Sequence, residues 1–111
     1  MGLTWKSIDV LKKRTKIEWH VLFPFLGIKP KLTAYNSHKK IGQTLTDRII
    51  ELAKFYAHGL EVFVTVDDFN NWLSKPSVDL SRQRPVDIMF STHGLNEIRR
   101  VLDKVECGIP V

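Results

Sequence analysis

The chain has 111 residues, 43% hydrophobic and 26% charged, proportions of a soluble globular protein with room for one compact domain or two small ones. No apolar run approaches the roughly 18 residues that a membrane span needs, and Lys6, Lys12, Lys13 and Arg14 are not followed by a signal-peptide core, so the chain reads as cytoplasmic with no membrane attachment. Its single cysteine, Cys107, excludes an intramolecular disulfide and fits a reducing compartment.

The net charge of +5 is unevenly placed. Residues 1–48 hold ten Lys/Arg against three Asp/Glu, and residues 49–111 hold seven against nine, so a basic front precedes a mildly acidic back. Basic side chains laid against DNA release its condensed counterions, so the front suits a phosphate backbone. A solvated lysine-rich surface has the same composition, and the sequence leaves both readings open.

In chain order, Ser7 is placed to cap a first helix, Ile8 to Arg14, whose Lys12-Lys13-Arg14 end suits the negative pole of the helix dipole. Thr15-Lys16-Ile17-Glu18 has the form of a capping box opening a second helix with Ile17, Val21 and Leu22 on one side. Pro24 is expected to end or kink that helix, and Gly27 to terminate it.

Pro30 then opens a short basic segment, Lys31 to Asn36. Two short helices joined by a glycine turn, the second polar and basic, have the layout of a helix-turn-helix. In that layout Lys29, Lys31, Thr33, Tyr35, Asn36, Lys39 and Lys40 face DNA. Thr33 and Asn36 suit base edges, and the lysines suit phosphates.

The polar stretch Lys39 to Thr46, with Gly42, is the expected domain boundary. Thr44 or Thr46 starts a long helix in which Ile49, Ile50, Leu52, Ala53, Phe55, Tyr56, Leu60, Val62 and Phe63 are too widely spread for one narrow stripe. Gly59 inside it marks a close helix crossing or a local break. Thr65-Val66-Asp67-Asp68 is a further helix start, followed by the apolar face Phe69, Trp72 and Leu73.

A loop from Lys75 to Arg84, bracketed by Pro76 and Pro85, is either a rigid recognition loop or a simple connector. Pro85 opens a short helix. Thr92 is placed to cap the last one, with Gly94 permitting close approach in its first turn. Leu95, Ile98, Val101, Leu102 and Val105 recur at three and four residues, a stripe for the core or for a dimer, and Gly108 stops the helix.

Nothing in the spacing points to an enzyme. His20, His38, His58 and His93 are scattered without metal-ligand spacing, and Cys107 has no neighbour that would mark a metal site. No glycine loop for a phosphate is present, so no catalytic residue, cofactor or metal is expected.

Three stretches together resemble a known family: Trp72-Leu73-Ser74-Lys75-Pro76, Arg84-Pro85-Val86-Asp87-Ile88-Met89, and Gly94 to Gly108. The pattern is similar to the toxin-binding domain of the Xre/MbcA/ParS-like antitoxins from about Phe55 to the end, and more weakly back to Ser7. Val64-Thr65 stands where members usually have Gly-Asp, and the arginines often found around Tyr35 and Asn36 are missing.

The resemblance implies an all-α protein, with an Xre-like helix-turn-helix DNA-binding region over 1–43 and a helical toxin-binding domain over 44–111. It implies an antitoxin of a type II system that occludes the active site of a RES-domain, NAD-degrading toxin and represses its own operon at promoter DNA as a homodimer. It places Arg82, Arg84, Gly108, Ile109, Pro110 and Val111 at the toxin interface. A DNA-binding regulator or an adaptor without a toxin partner is the alternative.

Overall fold

Six α-helices account for most of the described residues, which are 3–28 and 42–108 of a computed structural model. They are α1 (Lys6–Thr15), α2 (Trp19–Leu26), α3 (Gln43–Val62), α4 (Val66–Leu73), α5 (Pro85–Ile88) and α6 (Thr92–Glu106), with one 3-10 turn at Val78–Leu80. The expected all-α class is observed. The expected DNA-facing residues Lys29, Lys31, Thr33, Tyr35, Asn36, Lys39 and Lys40 lie outside the described residues, as do Ile109, Pro110 and Val111. The chain divides into two compact units, Met1–Lys54 and Phe55–Val111, with α3 contributing to both.

In the first unit, α1 begins two residues before the expected Ile8. Trp5 occupies its N-cap position and Ser7 lies inside, its N–H donating to the Thr4 carbonyl at 2.9 Å. The basic last turn is as expected. Lys16, at φ 56°, ends the helix in the left-handed conformation.

The capping box at Thr15 does not form. Thr15 is buried, and its hydroxyl donates to the Leu11 carbonyl at 2.8 Å and accepts the Ile17 N–H at 3.4 Å, so it closes α1 instead of opening α2. A buried hydroxyl takes the nearest partner, and here that is the preceding turn. The N-cap of α2 is Glu18, without a side-chain capping bond.

Pro24 does not end α2 either. The helix continues through the buried Phe25 and Leu26 to Gly27 at φ 72°. Proline inside a helix costs about 3 kcal/mol, whereas burying two large apolar side chains contributes roughly 1.5–3 kcal/mol each, so burial wins. Gly27 N–H reaches the Pro24 carbonyl at 3.2 Å and Ile28 N–H the Phe23 carbonyl at 3.2 Å, the paired bonds of a Schellman end. Arg48 joins α3 to α2 by two contacts, its Nε donating to the Phe25 carbonyl at 2.9 Å and its guanidinium lying 3.9 Å from the Phe25 ring, while Nη1 pairs with Glu51 on its own helix at 2.8 Å.

Helix α3 starts at Gln43. Neither threonine is its cap, because Thr46 sits within the first turn and both its N–H (3.0 Å) and its hydroxyl (2.9 Å) donate to the Gly42 carbonyl. The apolar run is not wholly buried, since Ile50 and Leu60 are exposed.

The second unit is centred on Phe69. Its fully buried ring lies 5.4 Å from Phe55, 5.0 Å from Tyr56, 5.7 Å from Phe63 and 6.3 Å from Trp72 between centroids. Gly59 makes the approach possible: a Cβ there would stand 2.2 Å from Phe69 Cε2, so the glycine marks a close crossing. Tyr56 donates its hydroxyl proton to Asn70 Oδ1 at 2.6 Å, and burial pushes its acidity well down. Thr65 caps α4 as expected, accepting the Asp68 N–H at 3.0 Å.

Helix α6 is capped by Ser91, whose hydroxyl accepts the Gly94 N–H at 3.0 Å, and not by Thr92. The shift by one residue follows from backbone geometry. Ser91 has the extended conformation that a cap needs, and Thr92 is already helical. Leu95, Ile98, Val101 and Leu102 are buried within the chain, so this stripe is core. A Cβ on Gly94 would stand 1.6 Å from the Ile88 carbonyl oxygen.

Because that oxygen belongs to the backbone, Gly94→Ala forces α5 away from α6. We expect a loss of about 2 kcal/mol or more, the upper range for overpacking, measured by urea unfolding. A change below about 0.5 kcal/mol, the ordinary size for a surface substitution, would show that the two backbones do not meet this closely.

Candidate functional site

The loop between α4 and α5 is built by its own backbone. Ser77 N–H donates to the Gln83 carbonyl at 3.0 Å, Arg82 N–H to the Ser77 carbonyl at 2.8 Å, and Gln83 N–H to the Leu80 carbonyl at 3.0 Å. The reversal passes through Ser81 at φ 57° and Arg82 at φ 64°, two successive left-handed residues without a glycine. Leu80 is buried and anchors the 3-10 turn. The loop is thus closed by its own backbone hydrogen bonds.

Its charged side chains are held as well. Arg84 forms a two-pronged pair with Asp87, Nε to Oδ2 and Nη2 to Oδ1 both at 2.8 Å. Hydrogen bonding from the Arg84 guanidinium holds the Asp87 carboxyl below the usual carboxylate range, and the same bond raises Arg84. Asp79 Oδ2 lies 3.5 Å from Lys104 Nζ, connecting the loop to α6 about one turn before Gly108. Arg82 is exposed.

Beside the loop lies a cleft of about 360 Å³ whose walls include Leu80, Gln83, Ile88, Phe90, His93 and Glu97. Phe90 is 55% exposed at its rim, and Val78 projects 75% exposed from the 3-10 turn. Neither was marked out by the sequence, because an isolated apolar residue in a loop carries no periodicity to say which way it points.

Gly108 follows the last turn of α6 at φ 78° with its N–H on the Val105 carbonyl at 3.0 Å, the terminator expected there. Arg82, Arg84 and Gly108 therefore belong to one unit, with the Asp79–Lys104 pair between the loop and the end of α6.

Sequence spacing also missed an assembly on the last two turns of α6. His58 Nε2 lies 3.3 Å from Asp103 Oδ1 and 3.4 Å from Glu106 Oε1. These three are the only described residues that gather as candidate metal ligands. Their separation along the chain hides them from any local motif.

Residues 58–108 match the family model described as the antitoxin Xre/MbcA/ParS C-terminal toxin-binding domain. The C-terminal part of the chain is similar to that family. The Xre/MbcA/ParS match takes in the end of α3, Phe69 with Phe63 and Trp72, the self-bonded loop and all of α6. A chain of the crystal structure of the M. tuberculosis MbcT–MbcA toxin–antitoxin complex shares the fold, with a TM-score of 0.65 and 18% identity over 96% of each chain. No curated protein matches the sequence. No helix among the described residues is long and apolar enough to cross a membrane.

The Arg84–Asp87 pair makes a titration prediction. A carboxyl depressed by its partner contributes stability at pH above its unfolded value and loses it as pH falls through the lower folded value. Carboxyl NMR should find Asp87 below the ordinary range in the parent protein and back within it in Arg84→Gln. An unchanged titration would show that the pair does not form in solution.

Proposed function

We propose that this protein is the antitoxin of a type II toxin–antitoxin pair, acting by stoichiometric binding. The observation that carries the reading is the Xre/MbcA/ParS match over residues 58–108, which coincides with nearly all of the second compact unit. The toxin named in the M. tuberculosis complex supports a protein partner for a chain of this fold. The finer reading is a RES-domain, NAD-degrading toxin whose active site is occluded by the loop at Arg82 and Arg84 and by the terminal segment Gly108, Ile109, Pro110 and Val111. The surface suits that task physically. A loop already ordered by its own hydrogen bonds loses little conformational entropy on docking, and Val78 and Phe90 offer apolar contact beside it.

The toxin-binding region in this reading is 44–111. The region over 1–43 binds promoter DNA through Lys29, Lys31, Thr33, Tyr35, Asn36, Lys39 and Lys40, with the chain acting in the cytoplasm as a homodimer. The +7 charge of residues 1–48 supports this second activity.

Co-expression with the product of the adjacent gene tests the first activity. The full chain is expected to co-purify with it and to protect cellular NAD, whereas a form lacking Ile109 to Val111 binds but protects poorly. A toxin left unbound and active by the full chain overturns the antitoxin reading. Retained binding with no NAD consumption by the free partner overturns the RES assignment alone.

For the second activity, affinity for the operon's promoter fragment should fall steeply as salt rises, and Lys29→Ala with Lys31→Ala should flatten that slope. Binding that is insensitive to salt, or no binding at all, removes autorepression and leaves a toxin-binding protein without a DNA role.

A further inference from the structure

The side chains of His58, Asp103 and Glu106 converge from two helices on one point. Asp103 and Glu106 are three residues apart on α6 and so share a face. His58 meets them from α3, and the three ligand atoms lie within 4.8 Å of one another. The imidazole is half-buried and the two carboxylates are exposed at the surface.

Two features of this contact differ from a single charge-assisted hydrogen bond. A single ring nitrogen, Nε2, faces both carboxylates, at 3.3 and 3.4 Å, yet it carries at most one proton to donate. Both separations also exceed the roughly 2.7–2.9 Å of a charge-assisted hydrogen bond. They match two edges of a tetrahedral ligand set, whose edge is about 3.3–3.5 Å for metal–nitrogen and metal–oxygen bonds of about 2.0–2.2 Å, and the two carboxylate oxygens lie within 4.8 Å of each other.

We propose that His58 Nε2, Asp103 Oδ1 and Glu106 Oε1 form a binding site for a divalent transition ion of the zinc class. One imidazole and two carboxylates are a ligand set that such an ion accepts, with the fourth position open to water. The ion would neutralise the two adjacent carboxylates and satisfy the nitrogen lone pair that neither of them can. It would also clip α3 to the last turns of α6, immediately before Gly108. The site is independent of the antitoxin reading, since its test needs neither toxin nor DNA.

The tag-free full chain, stripped with a chelator, is titrated with Zn²⁺ by calorimetry and melted with and without the ion, with Mg²⁺ as a control that lacks affinity for imidazole. The expected result is saturable binding of one Zn²⁺ per chain and a higher Tm, with no response to Mg²⁺. His58→Gln, Asp103→Asn and Glu106→Gln should each weaken Zn²⁺ binding by about tenfold or more. Cys107→Ser should leave it unchanged. All of these side chains are at least partly exposed, so helical circular dichroism should be retained and loss of binding separable from loss of fold. Absence of saturable Zn²⁺ binding, binding that survives all three substitutions, or binding lost only in Cys107→Ser would each overturn the site. So would a Tm lowered by His58→Gln in a parent protein that does not respond to Zn²⁺, which would mark a plain ion pair.

Discussion

The contact between the bare Cα of Gly59 and the ring of Phe69 sets the geometry of the second unit. With no side chain at Gly59, α4 comes close enough to α3 for Phe69 to lie among Phe55, Tyr56, Phe63 and Trp72. Aromatic rings packed edge to face and offset gain more than their buried area alone, and here they hold α4 through one residue. The glycine weakens α3 locally, by about 1 kcal/mol relative to alanine, and the Phe69 cluster offsets that cost. The position of the loop after Leu73 follows from this crossing.

A second close approach serves the other side of the loop. Gly94 lies against the Ile88 carbonyl, bringing α5 onto the first turn of α6, while Asp79 and Lys104 connect the 3-10 turn to its last turns. Arg82, the Arg84–Asp87 pair, Val78 and Phe90 are exposed in and beside this loop, and several of its backbone N–H groups bond within it. The charged pair is exposed, and its contribution lies more in fixing where the guanidinium points than in stability.

Several local signals were legible because the groups that satisfy them are near in sequence. Thr65 caps α4 through the N–H three residues on, Pro85 occupies the first turn of α5, and Gly27 and Gly108 take the positive φ that a helix end favours. The family resemblance from Trp72 to Gly108 was legible for a related reason, since its tryptophan, prolines and glycines perform backbone and packing tasks at fixed spacing. The misreadings share a cause in burial and backbone conformation. Thr15 turns inward and bonds backward, Pro24 is carried through a helix by the burial of Phe25 and Leu26, and Ser91 takes the extended conformation that places the cap one residue ahead of Thr92.

The sequence by itself determined the helical class, several helix ends, a special role for Gly59 and the family resemblance of the C-terminal region, because periodicity, capping and glycine geometry act over a few residues. Only the tertiary structure decided that the loop from Lys75 to Arg84 bonds to itself, that the α6 stripe lies in the core, that Phe90 is exposed, and that His58 meets Asp103 and Glu106. Those outcomes depend on which distant side chains share a space, and spacing along one chain does not encode that.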